Sequence, residues 1–464
     1  MNNPTAEASP TVIISNVTAD RMSVNVNGEI KEIKNGLDEL KLLLKNISAE
    51  NFSAGSKIYN IGSISNAVFN AEIGKKTFNM HLCRKLTESL RPYSASAKMF
   101  LDNMRETDKP DWETQSRYTR KANGYIISSF VGVIGLLIQK LISSGKDAFT
   151  SNSSKDYLEV CVATCTRSMQ LLCFAFISKL WDHKKDNNCE LSRSQANTLD
   201  NFFAAEIELN IKDYLDLLNT LVNIFDENTI EYPFSEFNKD CLAPGNVFTQ
   251  ACNNLEIIHS KVDAGQATLS TAFEAEIELT EFLCTLSFLA SYKMVSVKNI
   301  TYEEIRNKDV HYLHAYTFLG VDNDDKLFSQ KFKYDTKPIS SDAILIFKNQ
   351  YYDGLNLFPF IIDVHAITNE QEVKICFFTY AEENRRKLTY SDINRISSDR
   401  NESATDISDP SHVNIIYNEE VENDLKANID NDITRIRTDA KKYNDLQLNI
   451  VYTIFQTARN EILA

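Results

Sequence analysis

The stretch LEVCVATCTRSMQLLCFAFISKLW, residues 158–181, decides how the chain folds. It is long and apolar with a helical pattern, yet it carries Glu159, Arg167 and Lys179. Charges at those positions mark the core helix of a protein rather than a membrane span. Outward from it, the helical pattern extends from Phe78 to about Tyr292, with helices expected near 78–106, 112–145, 155–184, 193–227, 247–263 and 268–292. The expected breaks are Lys109-Pro110-Asp111, Ser151 to Ser154, Asp186 to Asn188, Tyr232-Pro233 and Ala243-Pro244-Gly245. These clusters carry the usual loop chemistry of Pro, Gly, Asn and Ser. Six helices with short connections predict a helical bundle domain over 76–293.

Composition agrees. Among 464 residues there are 13 Gly and 9 Pro, and this scarcity of punctuation favours long helices. The length calls for two or three domains. A net charge of -15 argues against a generic nucleic-acid binder, which needs a basic surface to neutralise phosphate. The start, Met1 to Pro10, has neither a basic n-region nor an apolar h-region, so no signal peptide is expected. Nine Cys without framework spacing point to reduced thiols and a cytoplasmic protein. The Asn-x-Ser/Thr triplets at Asn16, Asn46 and Asn51 then follow from an Asn-rich composition alone.

After Val295 the texture changes. Short β-rich runs occur at Tyr312 to Leu319, Ala343 to Phe347, Phe358 to Val364 and Val373 to Tyr380. Turn signals at Asp322 to Asp325, Asp353-Gly354 and Asn369-Glu370 separate them, predicting a small antiparallel α+β domain over 294–420. Residues 398–412 are polar and are expected to be mobile. A terminal helix over 421–464 follows from Leu425, Ile429, Ile433, Ile436, Ala440 and Tyr443, with a break near Asn444-Asp445.

At the other end, residues 1–70 predict a β/coiled-coil oligomerisation or docking module. Thr11 to Ile14 and Met22 to Val26 read as two short strands, the second ended by Gly28. Ile30, Ile33, Leu37, Leu40, Leu44 and Ile47 then recur at 3, 4, 3, 4 and 3, a heptad seam on one helix, and are the candidate self-association residues. Packing of that helix onto the body of the protein is the alternative. Ser56 to Phe69 is β-prone, polar and nearly uncharged, with Tyr59, Ile61, Ile64 and Phe69 as candidate partner-docking residues. The fold class expected is therefore mainly α with a smaller α+β part. It comprises an N-terminal β/coiled-coil module, a central bundle, a C-terminal antiparallel β-containing domain and a terminal helix.

Residues 122–139 carry no charge, and Ser128, Gly132 and Gly135 form a small-residue stripe that allows close helix approach in lipid or in a core. A buried bundle helix is the first reading, and a segment that enters a membrane only after a trigger is the second. Gly145-Lys146 followed by Asp147 is not a phosphate-binding loop, and neither G-x-G-x-x-G nor G-x-S-x-G occurs. Gln250-Ala251-Cys252 is followed by Asn253-Asn254 instead of the Gly of a caspase-type nucleophile, so a buried helical Cys is expected. Cys161, Cys165 and Cys173 are expected in the core. His311 and His314, with His365 later, are the one His cluster, but residues three apart on a strand point to opposite faces. No catalytic, cofactor-binding or metal residues are assigned.

Ile58 to Phe69 reads IYNIGSISNAVF, and Lys57 to Phe69 resembles the short "IYNIxxIxxAxF" segments near the N-termini of bacterial conflict-system proteins, including NACHT-type STAND NTPases and their associated effectors. The body is similar to a recurring bacterial type in Leu171 to Phe174, Leu180-Trp181-Asp182, Tyr312-Leu313-His314 and Leu319-Gly320. The resemblance implies antiphage or stress signalling, with the N-terminal part linking the chain to a protein partner. The NTPase of that pattern is missing, so a nucleotide-driven step would belong to another chain. The function expected is a non-enzymatic adaptor or sensor subunit of a bacterial antiphage or stress-response assembly, a homo-oligomer partnered by an NTPase or effector. The alternatives are a triggered membrane-disrupting effector using residues 122–139, and an enzyme whose site is dispersed.

Overall fold

The computed structural model describes residues 12–18, 21–26, 29–33, 78–104, 112–145, 151–307, 309–320, 330–335, 339–350, 353–368, 372–382, 385–393, 412–419 and 440–464. The chain divides into two compact units, Met1–Met80 and His81–Ala464.

In the first unit, β1 (Val12–Thr18), β2 (Arg21–Val26) and β3 (Glu29–Ile33) form an antiparallel meander in that order. The third strand corrects the expected helix start: Ile30 lies opposite Asn25 and Ile33 opposite Met22 on a strand. Residues three apart on a strand fall on opposite faces, so these two do not begin a seam. The residues between paired Val26 and Glu29 are Asn27-Gly28, the dipeptide that two-residue hairpins prefer. Leu37, Leu40, Leu44 and Ile47 lie outside the described residues, as do Tyr59, Ile61, Ile64 and Phe69.

The second unit is built on α1 (Met80–Leu90), α2 (Ala95–Met104), α3 (Trp112–Ser129), α4 (Gly132–Ser144) and α5 (Ser151–Asp186). It continues through α6 (Arg193–Phe203), α7 (Ile211–Glu227), α8 (Val247–Asp263) and α9 (Leu269–Thr285). The 36 residues of α5 span about 54 Å. Val160, Cys161, Leu171, Leu172, Phe174 and Phe176 are all buried, so this helix is enclosed on every side. Its apolar part is long enough to cross a membrane, but 94% of that window is buried inside the protein. Ser151 to Ser154, expected as a break, form its first turn instead.

Three expected helices are each divided in two. Pro92 ends the first, because Pro cannot continue an i→i−4 ladder and disfavours a helical residue before it. The helix expected over 193–227 is two, and the second starts at a reciprocal cap between Asn210 and Asp213. The helix expected over 112–145 turns a corner at Phe130-Val131, so residues 122–139 are shared between α3 and α4. The glycines make the corner. A Cβ on Gly132 would lie 1.4 Å from the Leu319 carbonyl oxygen, and one on Gly135 would lie 2.5 Å from that of Ile127.

Two antiparallel sheets complete this unit. One has the order β6-β5-β4-β7-β8, with β4 (Lys293–Glu303), β5 (His311–Phe318), β6 (Gln330–Asp335), β7 (Ile344–Phe347) and β8 (Leu355–Asn356). The other has the order β12-β11-β10-β9, with β9 (Ile361–Asp363), β10 (Ile375–Glu382), β11 (Lys387–Asp392) and β12 (His412–Ile416). A short α10 (Val364–Ile367) follows β9. The terminal α11 (Ala440–Leu463) runs unbroken through Asn444-Asp445, correcting the break expected there. The protein is thus mainly α with a smaller α+β part.

The helices and the four-stranded sheet share one core, while Val295, Val297, Ala343, Leu345 and Phe347 form a separate cluster on the five-stranded sheet. Phe174 of α5 meets Phe202 of α6 at 6.0 Å, Phe360 at 5.8 Å and Phe377 of β10 at 6.2 Å between ring centroids. Phe455 of α11 reaches Phe378 at 4.5 Å and Phe203 at 5.6 Å. Ring pairs at these separations add attraction beyond area burial. The same helix is held by Trp181 Nε1 donating to Glu461 at 2.6 Å and by Arg459 reaching Asp200 at 2.7 Å.

Candidate functional site

Charged side chains converge where β4 passes the end of β9. The first half of β4 is buried on both faces at Met294, Val295, Ser296 and Val297. The pairing with β5 shifts register between Val297 and Asn299, a bulge at Lys298. Bulges re-aim side chains, and here the Lys298 ammonium lies 2.7 Å from Asp363 Oδ2. Asp363 is fully buried and the Lys298 side chain is only 8% exposed.

Asp363 has further donors. Ser296 Oγ donates to Oδ2 at 2.7 Å, while the backbone N–H groups of His365 and Lys374 donate to Oδ1 at 3.2 and 3.0 Å. Lys298 Nζ also donates to the Glu372 carbonyl at 2.5 Å. One carboxylate therefore ties β4 to β9, caps α10 and holds the strand leading into β10. With four donors on its two oxygens its accepting capacity is filled, so Asp363 has no lone pair left to act as a base or nucleophile.

Asp342 lies beside this pair, just before β7, in left-handed backbone at φ 58°. Burial pushes its carboxyl up to about 6; the Asp363 charge adds to the rise and the Lys298 ammonium opposes it. An acid titrating near neutrality in such a place can serve in proton transfer or cost stability. The stability effect has a definite sign. The folded pKa lies above the ordinary value, so the protein is penalised as pH rises through about 6 and escapes the penalty well below it. Asp342→Asn is expected to raise stability by about 1–2 kcal/mol at pH 7.5, discounted for partial exposure, and to change little at pH 4. Asn also tolerates the left-handed backbone. Thermal melts of both proteins across pH 4–8 measure the difference, and a gap that does not grow with pH would refute it.

The structure does not bring His311, His314 and His365 together. His314 is buried on β5 opposite Ile300, with its ring stacked 6.4 Å from that of Tyr312. His365 follows Asp363, whose partner Ser296 lies opposite Thr317. Thr317 and His314 are three residues apart on β5, about 10 Å. His311 stands at the exposed start of that strand. Among the described residues no group of three or more His, Cys, Asp or Glu could hold a metal ion.

Eight of the nine cysteines are buried. Cys161, Cys165 and Cys173 are buried on α5, and burial raises each thiol well above its usual range; for Cys165 the neighbouring Cys252 adds to the rise. Such thiols carry little of the reactive thiolate. A buried polar chain crosses the same helix, with Arg167 donating to Gln170 at 2.6 Å and Gln170 to Tyr214 at 2.8 Å. Glu208 closes it on Arg167 at 3.1 Å.

Ser296, Lys298, Asp342 and Asp363 were not singled out from the sequence. The available signal was Asp363 itself, a carboxylate closing the apolar run Phe358 to Ile362. No family model matches this chain, and no curated protein or solved structure matches it significantly.

Proposed function

We propose that the protein is a non-enzymatic adaptor or sensor subunit of a bacterial antiphage or stress-response assembly, self-associating through its N-terminal segment. The observation that carries this reading is the meander of the first unit. Among the described residues β1 pairs with β2 alone, and none of its seven residues, Val12 to Thr18, is charged. An uncharged edge strand is a template for another strand, and proteins blunt such edges unless they use them. The IYNI-type segment at Lys57 to Phe69 supports the placement in a defence system, with an NTPase or effector as the second partner. The saturated carboxylate of Asp363 and the raised thiols of α5 suit a structural body better than a reaction centre. Nine unpaired cysteines suit a reducing cytoplasm.

The test is to purify the tagged full chain from its host, measure its native mass by light scattering and identify what comes with it. A mass of two or more chains with a stoichiometric NTPase or effector is expected. A lone monomer would overturn the reading.

A further inference from the structure

Resting on the self-association just argued, we propose that β1 of one chain pairs antiparallel with β1 of a second copy across a two-fold axis. The two meanders then form one six-stranded sheet in the order β3-β2-β1-β1-β2-β3.

The two edges of the meander differ in charge. β3 reads Glu29-Ile30-Lys31-Glu32-Ile33, so three of its five residues are charged. Charge on an edge strand is a standard device against strand addition. β1 reads Val12-Ile13-Ile14-Ser15-Asn16-Val17-Thr18 and carries four β-branched aliphatic residues with no charge. The sequence protects one edge and leaves the other fit for pairing.

Charge also selects the occupant. In an antiparallel pairing of this strand with itself about Ile14, the five residues Val12 to Asn16 face one another. A charge anywhere near the axis would meet its own kind, which is destabilising. Neutrality along all of β1 removes that penalty in a chain whose net charge is -15. A foreign partner would gain from complementary charge on this edge, and none is offered. The β1–β2 register is regular from Val12 to Ser15 and shifts between Ser15 and Thr18. The regular part is where a second strand seats best, which puts the axis at Ile14, so that Ile14 faces Ile14 and Ile13 faces Ser15. A two-fold pairing of this kind is closed: both outer edges of the six-stranded sheet are β3, so growth stops at two chains.

The experiment uses the full chain with Ile14→Lys and Ile14→Glu, each alone and mixed in equal amounts, read by native mass over a dilution series. Each variant alone is expected to associate at least tenfold more weakly than wild type, because like charges face across the axis. The equimolar mixture is expected to recover association through Lys–Glu pairing. Lys31→Glu on β3 is expected to behave as wild type. Recovery on mixing also shows that the variants are folded. If both variants associate like wild type, the β1 pairing is wrong while self-association stands. If the mixture stays monomeric when wild type does not, pairing of β1 with itself is wrong. A monomeric wild type overturns the underlying reading and this one with it.

Discussion

Gly132→Ala is expected to destabilise the second unit by about 3–5 kcal/mol, at the upper end for a single added methyl group. The reason is what the methyl would meet. A Cβ at Gly132 would sit 1.4 Å from the Leu319 carbonyl oxygen, 2.0 Å from its carbon and 2.7 Å from the Gly320 nitrogen. All three are backbone atoms, so no rotamer change relieves the overlap. Leu319 is itself fixed, because its N–H donates to the Met294 carbonyl at 2.9 Å beside β4. Either α4 moves off the sheet or the β4–β5 pairing is disturbed. Gly124→Ala is the control. It lies on α3 with nothing within 4 Å of the added atom, and the alanine is expected to add about 0.5–1 kcal/mol through helix propensity. Urea unfolding of the full chain measures both. A Gly132→Ala midpoint within error of wild type would show that the corner does not pack against Leu319.

This corner shows what the sequence could and could not convey. The small-residue stripe was legible as a surface of close approach, but the approaching group was not. It is the chain after β5, nearly 190 residues further on, and no spacing rule links the two. Local chemistry was legible wherever it decided the outcome. The long buried α5, the boundaries of α8, and the run that became β10 all follow from period and punctuation within a few residues. The errors came where a periodic pattern overran local signals. Ile30 and Ile33 fit a heptad, but Asn27-Gly28 just before them is a hairpin signal, and the chain follows the hairpin. Phe130-Val131 has no Pro to announce a break, so two helices looked like one. Much of β4 was hidden because its first half is buried on both faces, where the apolar and polar alternation of a half-buried strand does not occur.

The charged junction was the least legible feature. Ser296, Lys298, Asp342 and Asp363 come from three places over 68 residues, and only sheet register and the bulge at Lys298 bring them to one point. A search by motif looks for chemistry concentrated in sequence. This cluster is concentrated only in space, and its main member is occupied in holding the two sheets together.

That role leads to the second large effect. Asp363→Ala is expected to cost about 3–5 kcal/mol, the range seen when one partner of a buried ion pair is removed. The substitution takes the carboxylate from the Lys298 ammonium, leaving it the Glu372 carbonyl and the nearby charge of Asp342, and leaves the Ser296 hydroxyl and the N–H groups of His365 and Lys374 without the acceptor they now use. Buried donors without partners each carry a desolvation penalty of about 1–3 kcal/mol, so the loss exceeds the worth of the ion pair alone. Asp363→Asn separates the contributions. Its carbonyl oxygen can still accept from the two backbone amides, but its NH2 group would face the Lys298 ammonium and the Ser296 hydroxyl. Its cost is expected to be smaller, and Lys298→Met in the same chain should remove much of it. Asp363→Ala and Asp363→Asn with equal costs would show that the backbone amides gain nothing from the carboxylate. Hydrogen exchange locates the loss: protection should fall in β4, β9 and α10 together, since one side chain joins them. If only α10 loosens, Asp363 is a helix cap and the two sheets are held by their apolar contacts.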